Sequence, residues 1–365
     1  MKRVLIAGGG TGGHIYPGLA IAEELISRSP RPEVIFVGTP KGMEMRLVPR
    51  SGFAVVGICS GGVIGKGIAS RLVSLCLRAP VGLVQALSLL ARLKPDVVIG
   101  VGGYASGPLA LAATLAGVPT VLQEQNLLPG VTNRILAPWV EAVAVTFEES
   151  RRSLSGRVVV TGNPLRRAVL KGAQRPNDDR FHLLVLGGSR GARALNRLMS
   201  EAVSHLKPLY PSLSIVHQSG EMDEEETRRI YEKHAGDRFE WRVEPFLERV
   251  WEQYGWADLV VCRAGATTVA EITACGKPVI FVPFPHAARN HQVYNARYLA
   301  DRGAAVVREQ DDLTAERLAG TILELAQDEP RRARMAARSR ALGFPNAAAR
   351  VVDLAARVSR SPSDP

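Results

Sequence analysis

The stretch VLIAGGGTGGH at positions 4–14 returns in altered form as LLVLGGSRGAR at 183–193. A longer pair follows the same rule. DVVIGVGGYASGPLALAATLAGVPTVLQEQN from Asp96 and DLVVCRAGATTVAEITACGKPVIFVPFP from Asp258 share one order: Asp, apolar run, glycine loop, helical pattern, Gly-x-Pro, apolar run. A chain built this way holds two similar halves, and its 365 residues suffice for two domains. The runs RVLIAG, EVIFVG, HLLVLG and PVIFVP are continuously apolar rather than alternating, which marks strands covered on both faces. Amphipathic stretches lie between them. The fold class is therefore α/β, doubly wound, with two Rossmann-like parallel sheets. The domain boundary is expected near TGNPLRR at 161–167, giving domains over 1–162 and 163–341.

The glycine loops set the candidate chemistry. GGGTGGH satisfies G-x-G-x-x-G through Gly8, Gly10 and Gly13 and opens a helical pattern, so backbone N–H groups and a helix dipole can receive a phosphate. A dinucleotide site also needs an acid near the end of the second strand, and EVIFVGTPKG has none at its tip. The second loop, GGSRG at 187–191, matches G-x-S-x-G, and Ser189 is either a nucleophile or a phosphate contact. The first loop lacks a serine, which favours the phosphate. A third loop, GVGGYASG, places Tyr104 at the carboxyl end of a strand, where open α/β sheets bind ligands. SGGVIGKG departs from a P-loop at Ser60 and Gly67, and no Asp-x-Asp offers a carboxylate pair for a metal-bridged diphosphate.

Composition narrows the partners. A net charge of +11 favours an anionic one: nucleic acid, a phosphorylated metabolite or an acidic membrane. Aromatic residues are only 5% and no nucleic-acid motif occurs, so nucleic acid ranks low. The four cysteines form no C-x-x-C pair, which points to reduced thiols. The apolar run behind the N-terminal Lys2-Arg3 pair breaks at Gly8, so no signal peptide is expected. From Val97 to Gln123 there is no charge, but Gly102-Gly103, Gly107-Pro108 and Val118-Pro119 divide the stretch into buried elements rather than one transmembrane helix.

GGGTGGHIYPGLAIAEEL, DVVIGVGGYASGP, LQEQN, TGNPLR, GGSRGAR, VVCRAGATTVAEI and HQVYNA, in that order, resemble the MurG family of peptidoglycan transferases within glycosyltransferase family 28. The resemblance spans nearly the whole chain. It implies a GT-B fold, two Rossmann-like domains facing a cleft, with a C-terminal helix over about 342–360 packing back on the first. It also implies an inverting transfer of N-acetylglucosamine from UDP-GlcNAc to the MurNAc 4-hydroxyl of lipid I, forming lipid II, with no obligatory metal or other cofactor. By the same resemblance the donor meets Thr11, Gly12, Gly13, Asn126, Arg166, Ser189, Leu247 (through its backbone), Ala266, Thr267, Thr268, Val269, Ala270, Glu271 and Gln292. The acceptor diphosphate falls to Gly10, Gly12, Gly13, His14, Gly102, Gly103 and Tyr104. His14 is the candidate base, since an imidazole titrates near neutrality, and Glu124 is its rival or support. Arg190 and Ala264 stand where the family commonly has Gln and Ser. The nearest other activities are a UDP-galactose:diacylglycerol transferase, a G-x-S-x-G hydrolase and a sugar-nucleotide sensor.

Between Glu44 and Asp96 there is no acid, whereas Arg46, Arg50, Lys66, Arg71, Arg78, Arg92 and Lys94 are interleaved with LVSLCL and VGLVQALSLLA. Cations among leucines suit an anionic membrane interface. Lys66, Arg71, Leu75, Arg78 and Leu83 are the expected patch. For a polyprenyl-pyrophosphate acceptor, the resemblance implies peripheral attachment at the cytoplasmic face of the inner membrane, with candidate partners in the cell-wall and division machinery.

Overall fold

In the computed structural model, described here for residues 1–60, 79–172, 175–188, 192–235 and 237–359, the chain divides into two compact units. Unit 1 is Met1–Arg167 together with the chain from Phe344 onward; unit 2 is Ala168–Gly343.

Unit 1 runs β1 (Arg3–Ala7), α1 (Gly12–Ile26), β2 (Glu33–Gly38), α2 (Glu44–Arg50), β3 (Ala54–Gly57), α3 (Ala79–Leu93), β4 (Val97–Gly100), α4 (Ser106–Leu115), β5 (Thr120–Glu124), α5 (Val131–Leu136), β6 (Ala142–Val145) and β7 (Val158–Val160). The strands form one parallel sheet in the order β3-β2-β1-β4-β5-β6-β7. Pairing is in register from Val4 opposite Val34 on one side and Val97 on the other. The continuous apolar strands are buried on both faces. Val4 and Ile6 pack with Ile15 and Leu19 of α1, while Leu5 and Ala7 pack with Leu89 of α3 and Leu109 of α4.

Unit 2 repeats the plan: β8 (Phe181–Leu186), α6 (Arg193–Ala202), β9 (Leu213–Gln218), α7 (Glu224–His234), β10 (Glu240–Glu244), α8 (Val250–Trp256), β11 (Leu259–Cys262), α9 (Ala266–Cys275), β12 (Val279–Phe281), α10 (His291–Ala300), β13 (Val306–Val307), α11 (Ala315–Gln327) and α12 (Glu329–Ala341). Its parallel sheet has the order β10-β9-β8-β11-β12-β13. The chain then returns to unit 1 as α13 (Ala347–Val358), whose Val351, Val352, Leu354 and Ala355 enter the core beside α1. Arg28, just beyond α1, reaches Asp353 at 2.5 Å.

Both strand orders reverse direction once, beside β1 in unit 1 and beside β8 in unit 2. At such a switch point the loops leaving adjacent strands diverge and open a crevice. The loops after β1 and β4, and those after β8 and β11, are the four glycine-bearing segments singled out by sequence. No described helix is long and apolar enough to cross a membrane.

Candidate functional site

In unit 1 the loops after β1 and β4 lean on each other, backbone to backbone. Gly102 and Gly103 take φ of +93° and +83°, the left-handed region that favours glycine. A methyl group on Gly103 would stand 2.2 Å from the Gly9 carbonyl oxygen, and one on Gly102 would stand 2.6 Å from His14 Nδ1. The contact thus seats the half-buried His14 ring against the third loop, beside the exposed Tyr104. Thr11, Gly12 and Gly13 form the start of α1, where the Thr11 carbonyl accepts from the His14 and Ile15 N–H groups.

An acid does reach this loop. Glu44, at the start of α2, is only 1% exposed. Its carboxylate accepts from Thr39 N (2.7 Å), Thr39 Oγ1 (2.9 Å) and Gly10 N (2.9 Å). The tip of β2 is bare of acid in sequence, but a carboxylate six residues further on turns back onto it. It faces the glycine loop, where a dinucleotide enzyme would point its acid at a ribose.

At the end of β5, Glu124 is buried and accepts from Asn126 N (2.9 Å), Gly130 N (2.8 Å), Asn133 Nδ2 (2.8 Å) and Asn126 Nδ2 (3.5 Å). Burial pushes its carboxyl up, and these hydrogen bonds pull against that shift. A carboxylate so occupied orders the 126–133 loop. Gln125 ties the same loop to the Val101 carbonyl (2.8 Å). Arg166 lies 4.5 Å above the Tyr16 ring, the geometry of a cation–π contact on α1.

In unit 2, α9 starts directly behind the loop that follows β11. Ala266, Thr267, Thr268, Val269 and Ala270 make its first turns, and Glu271 follows at 9% exposed. The buried Tyr254 hydroxyl donates to Glu271 Oε2 at 2.8 Å. Burial foremost, and then the neighbouring carboxylate, raises this phenol well above its ordinary range, so it stays a donor. Arg263, at the tip of β11, donates to the carbonyls of Val282 (2.9 Å) and Pro283 (3.2 Å) and to Gln310 Oε1 (2.6 Å), and burial lowers it to about 10. It braces the segment in which Phe284 N donates to Gln292 Oε1 at 3.0 Å. Leu247 is buried in the turn after β10. Behind the second loop, His217 lies between Tyr231 OH (3.1 Å) and Asn196 Oδ1 (3.2 Å), and Asn196 Nδ2 donates to the Ser219 carbonyl. Ser189 lies outside the described residues, as do Lys66, Arg71, Leu75 and Arg78.

Leu83 is half-buried against the core under α3. The exposed apolar side chains there are Val81, Val84 and Leu87, followed by Leu111 and Leu115 on α4 and by Val131, Ile135 and Trp139 on and after α5. Glu44, Tyr254, Arg263 and the His217 network escaped sequence reading. Only Glu44 left a signal there, as an acid a short loop beyond a strand tip. Among the described residues no three His, Cys, Asp or Glu side chains gather as metal ligands.

Two Rossmann-like units in one chain, each with a glycine-led turn at its switch point, are the plan of the GT-B fold. The chain belongs to glycosyltransferase family 28, in its MurG branch: residues 4–145 match the family's N-terminal domain and residues 182–351 its C-terminal domain. A relative from Anaeromyxobacter sp. (strain Fw109-5) is 48% identical over 361 residues, 98% of this chain and 94% of that one. One from Myxococcus xanthus (strain DK1622) is 46% identical over 357 residues, 97% and 92% of the two chains. Both are named UDP-N-acetylglucosamine–N-acetylmuramyl-(pentapeptide) pyrophosphoryl-undecaprenol N-acetylglucosamine transferase. The crystal structure of Acinetobacter baumannii MurG is 34% identical, superposes with a TM-score of 0.81, and covers 98% of this chain and all of that one.

Proposed function

We propose that this chain transfers N-acetylglucosamine from UDP-N-acetylglucosamine to the MurNAc 4-hydroxyl of undecaprenyl-pyrophosphoryl-MurNAc-pentapeptide, lipid I, forming lipid II. The full-length identity to transferases named for that reaction carries the reading. In the transfer, the acceptor hydroxyl oxygen bonds to the anomeric carbon from the face opposite the diphosphate. The bond from that carbon to the β-phosphate oxygen breaks, its electron pair leaves with UDP, and the configuration inverts. The hydroxyl proton goes to His14.

The donor falls to unit 2. Glu271 accepts from the ribose hydroxyls, and the Leu247 backbone meets uracil. The diphosphate lies against Ser189 and the first turn of α9, where the helix dipole favours the charge that develops on the leaving group. Gln292 and Asn126 take sugar hydroxyls, Arg166 completes the donor contacts, and no metal is required. The acceptor falls to unit 1, its diphosphate at Gly12–His14 and Gly102–Tyr104. Glu124 supports Asn126 rather than taking the proton. Exposed Val84, Leu87, Leu115, Ile135 and Trp139, in a chain whose sequence carries a basic run between Glu44 and Asp96, support peripheral attachment to an anionic membrane.

The deciding experiment is transfer of radiolabelled GlcNAc to a soluble lipid I analogue with EDTA present, for wild type and His14→Ala. Wild-type turnover together with a loss of about 100-fold or more in the variant, at unchanged UDP-GlcNAc affinity, supports the reaction, its metal independence and the base. Tight donor binding without wild-type transfer, beside a competent control enzyme, overturns the acceptor assignment.

A further inference from the structure

We propose that Glu44 is the positioning residue of the acceptor half: a built-in anion that fills the first glycine loop and, through it, sets His14. The inference rests on unit 1 being that half. Three glycines from three segments make room for this one carboxylate. Methyl groups on Gly9, Gly38 and Gly42 would stand 2.2, 2.3 and 2.1 Å from Glu44 side-chain atoms. Its oxygens hold Gly10 N–H at the left-handed turn of the loop and both donors of Thr39 beyond β2.

The first loop thus carries its own carboxylate. An acceptor diphosphate cannot use Gly10 N–H and is confined to the start of α1 and to the Gly102–Tyr104 loop. The same carboxylate buttresses catalysis at one remove: Gly9 and Gly10 rest on Glu44, Gly103 rests on Gly9, and Gly102 walls the His14 ring.

Deleting the side chain leaves a cavity shaped for a small carboxylate, so formate is the probe, with chloride as the ionic control. Glu44→Ala and Glu44→Gln are compared with wild type by donor affinity, steady-state transfer, and amide hydrogen exchange of the 8–14 segment. The expected result is a fall of about tenfold or more in kcat/KM for the acceptor, with the UDP-GlcNAc dissociation constant within twofold of wild type. Exchange in the 8–14 segment rises in Glu44→Ala, and formate, but not chloride, restores both protection and part of the rate. Glu44→Gln, which keeps the volume, answers should the alanine variant fail to fold. Unchanged acceptor kinetics, a parallel loss of donor affinity, or exchange indifferent to formate overturns the proposal. Should wild type fail to transfer to lipid I, the substrate assignment falls, and the exchange and formate measurements still decide whether Glu44 holds the loop.

Discussion

At the scale of one residue, the Tyr254–Glu271 hydrogen bond gives the proposed donor contact a test. The buried Tyr254 hydroxyl holds Oε2 of the Glu271 carboxylate, the group proposed to meet the ribose. Hydrogen bonds to charged groups contribute about 1.5–3 kcal/mol, so Tyr254→Phe is expected to raise KM for UDP-GlcNAc roughly tenfold. The loss should shrink to within about twofold for a donor lacking the ribose 2′- and 3′-hydroxyls, an arm that general damage to the unit would not spare. A buried histidine supplies a second test. Burial lowers His217 to about 3, so the folded state keeps it neutral where the unfolded chain, titrating near 6.5, takes up a proton. Stability is therefore intact above pH 6.5 and declines as pH falls toward 3, by on the order of 3 kcal/mol at pH 4. Denaturant titrations should show His217→Gln losing that part of the acid slope; an unchanged slope would assign it to other groups. Glu271 and His14 stood out in the sequence because motifs surround them. Tyr254 and His217 did not, since nothing local reports which buried polar groups will meet across a sheet.

Elements were more legible than their partners. Continuous apolar runs and glycine turns located the strands, because burial on both faces leaves no other composition open to them. What the pattern could not supply was the face each helix presents. Leu83 lies within the expected interfacial run but packs inward, whereas Val81, Val84 and Leu87 of the same helix face out. Helices α4 and α5 and the turn after α5 expose Leu111, Leu115, Ile135 and Trp139 as well, well separated in sequence. A double variant Val84→Glu/Leu115→Glu should lose most co-sedimentation with phosphatidylglycerol vesicles and keep its turnover on a soluble acceptor. Retained vesicle binding would move the contact to another surface. The loop after β5 is likewise an element-scale device. Four donors converge on Glu124, so Glu124→Gln should speed amide exchange across 126–133, and an unaltered exchange pattern would show the loop to be held by other contacts.

At the scale of the molecule, the duplicated strand–loop–helix pattern made both sheets legible, and their strand orders follow from right-handed crossovers on either side of a first strand. The return of α13 to unit 1 carries no signal of its own in the residues; an amphipathic helix at the end of a chain can cover either sheet. Its Val351, Val352, Leu354 and Ala355 are nonetheless integral to the core under β1 and β4. Ending the chain at Gly343 should raise amide exchange in β1 and α1 while leaving β8 and β9 protected; equal protection in both units would show α13 to be dispensable. The route of the chain also orders its synthesis. Unit 2 is contiguous and can close as soon as it leaves the ribosome. Unit 1 has its sheet long before, but it must wait for all of Ala168–Gly343 to be made before its last helix exists. At ~5–20 residues per second that delay is on the order of ten seconds or more. The half of the enzyme that is translated first is thus the half completed last, and during that interval the apolar bed meant for α13 stands open to chaperones.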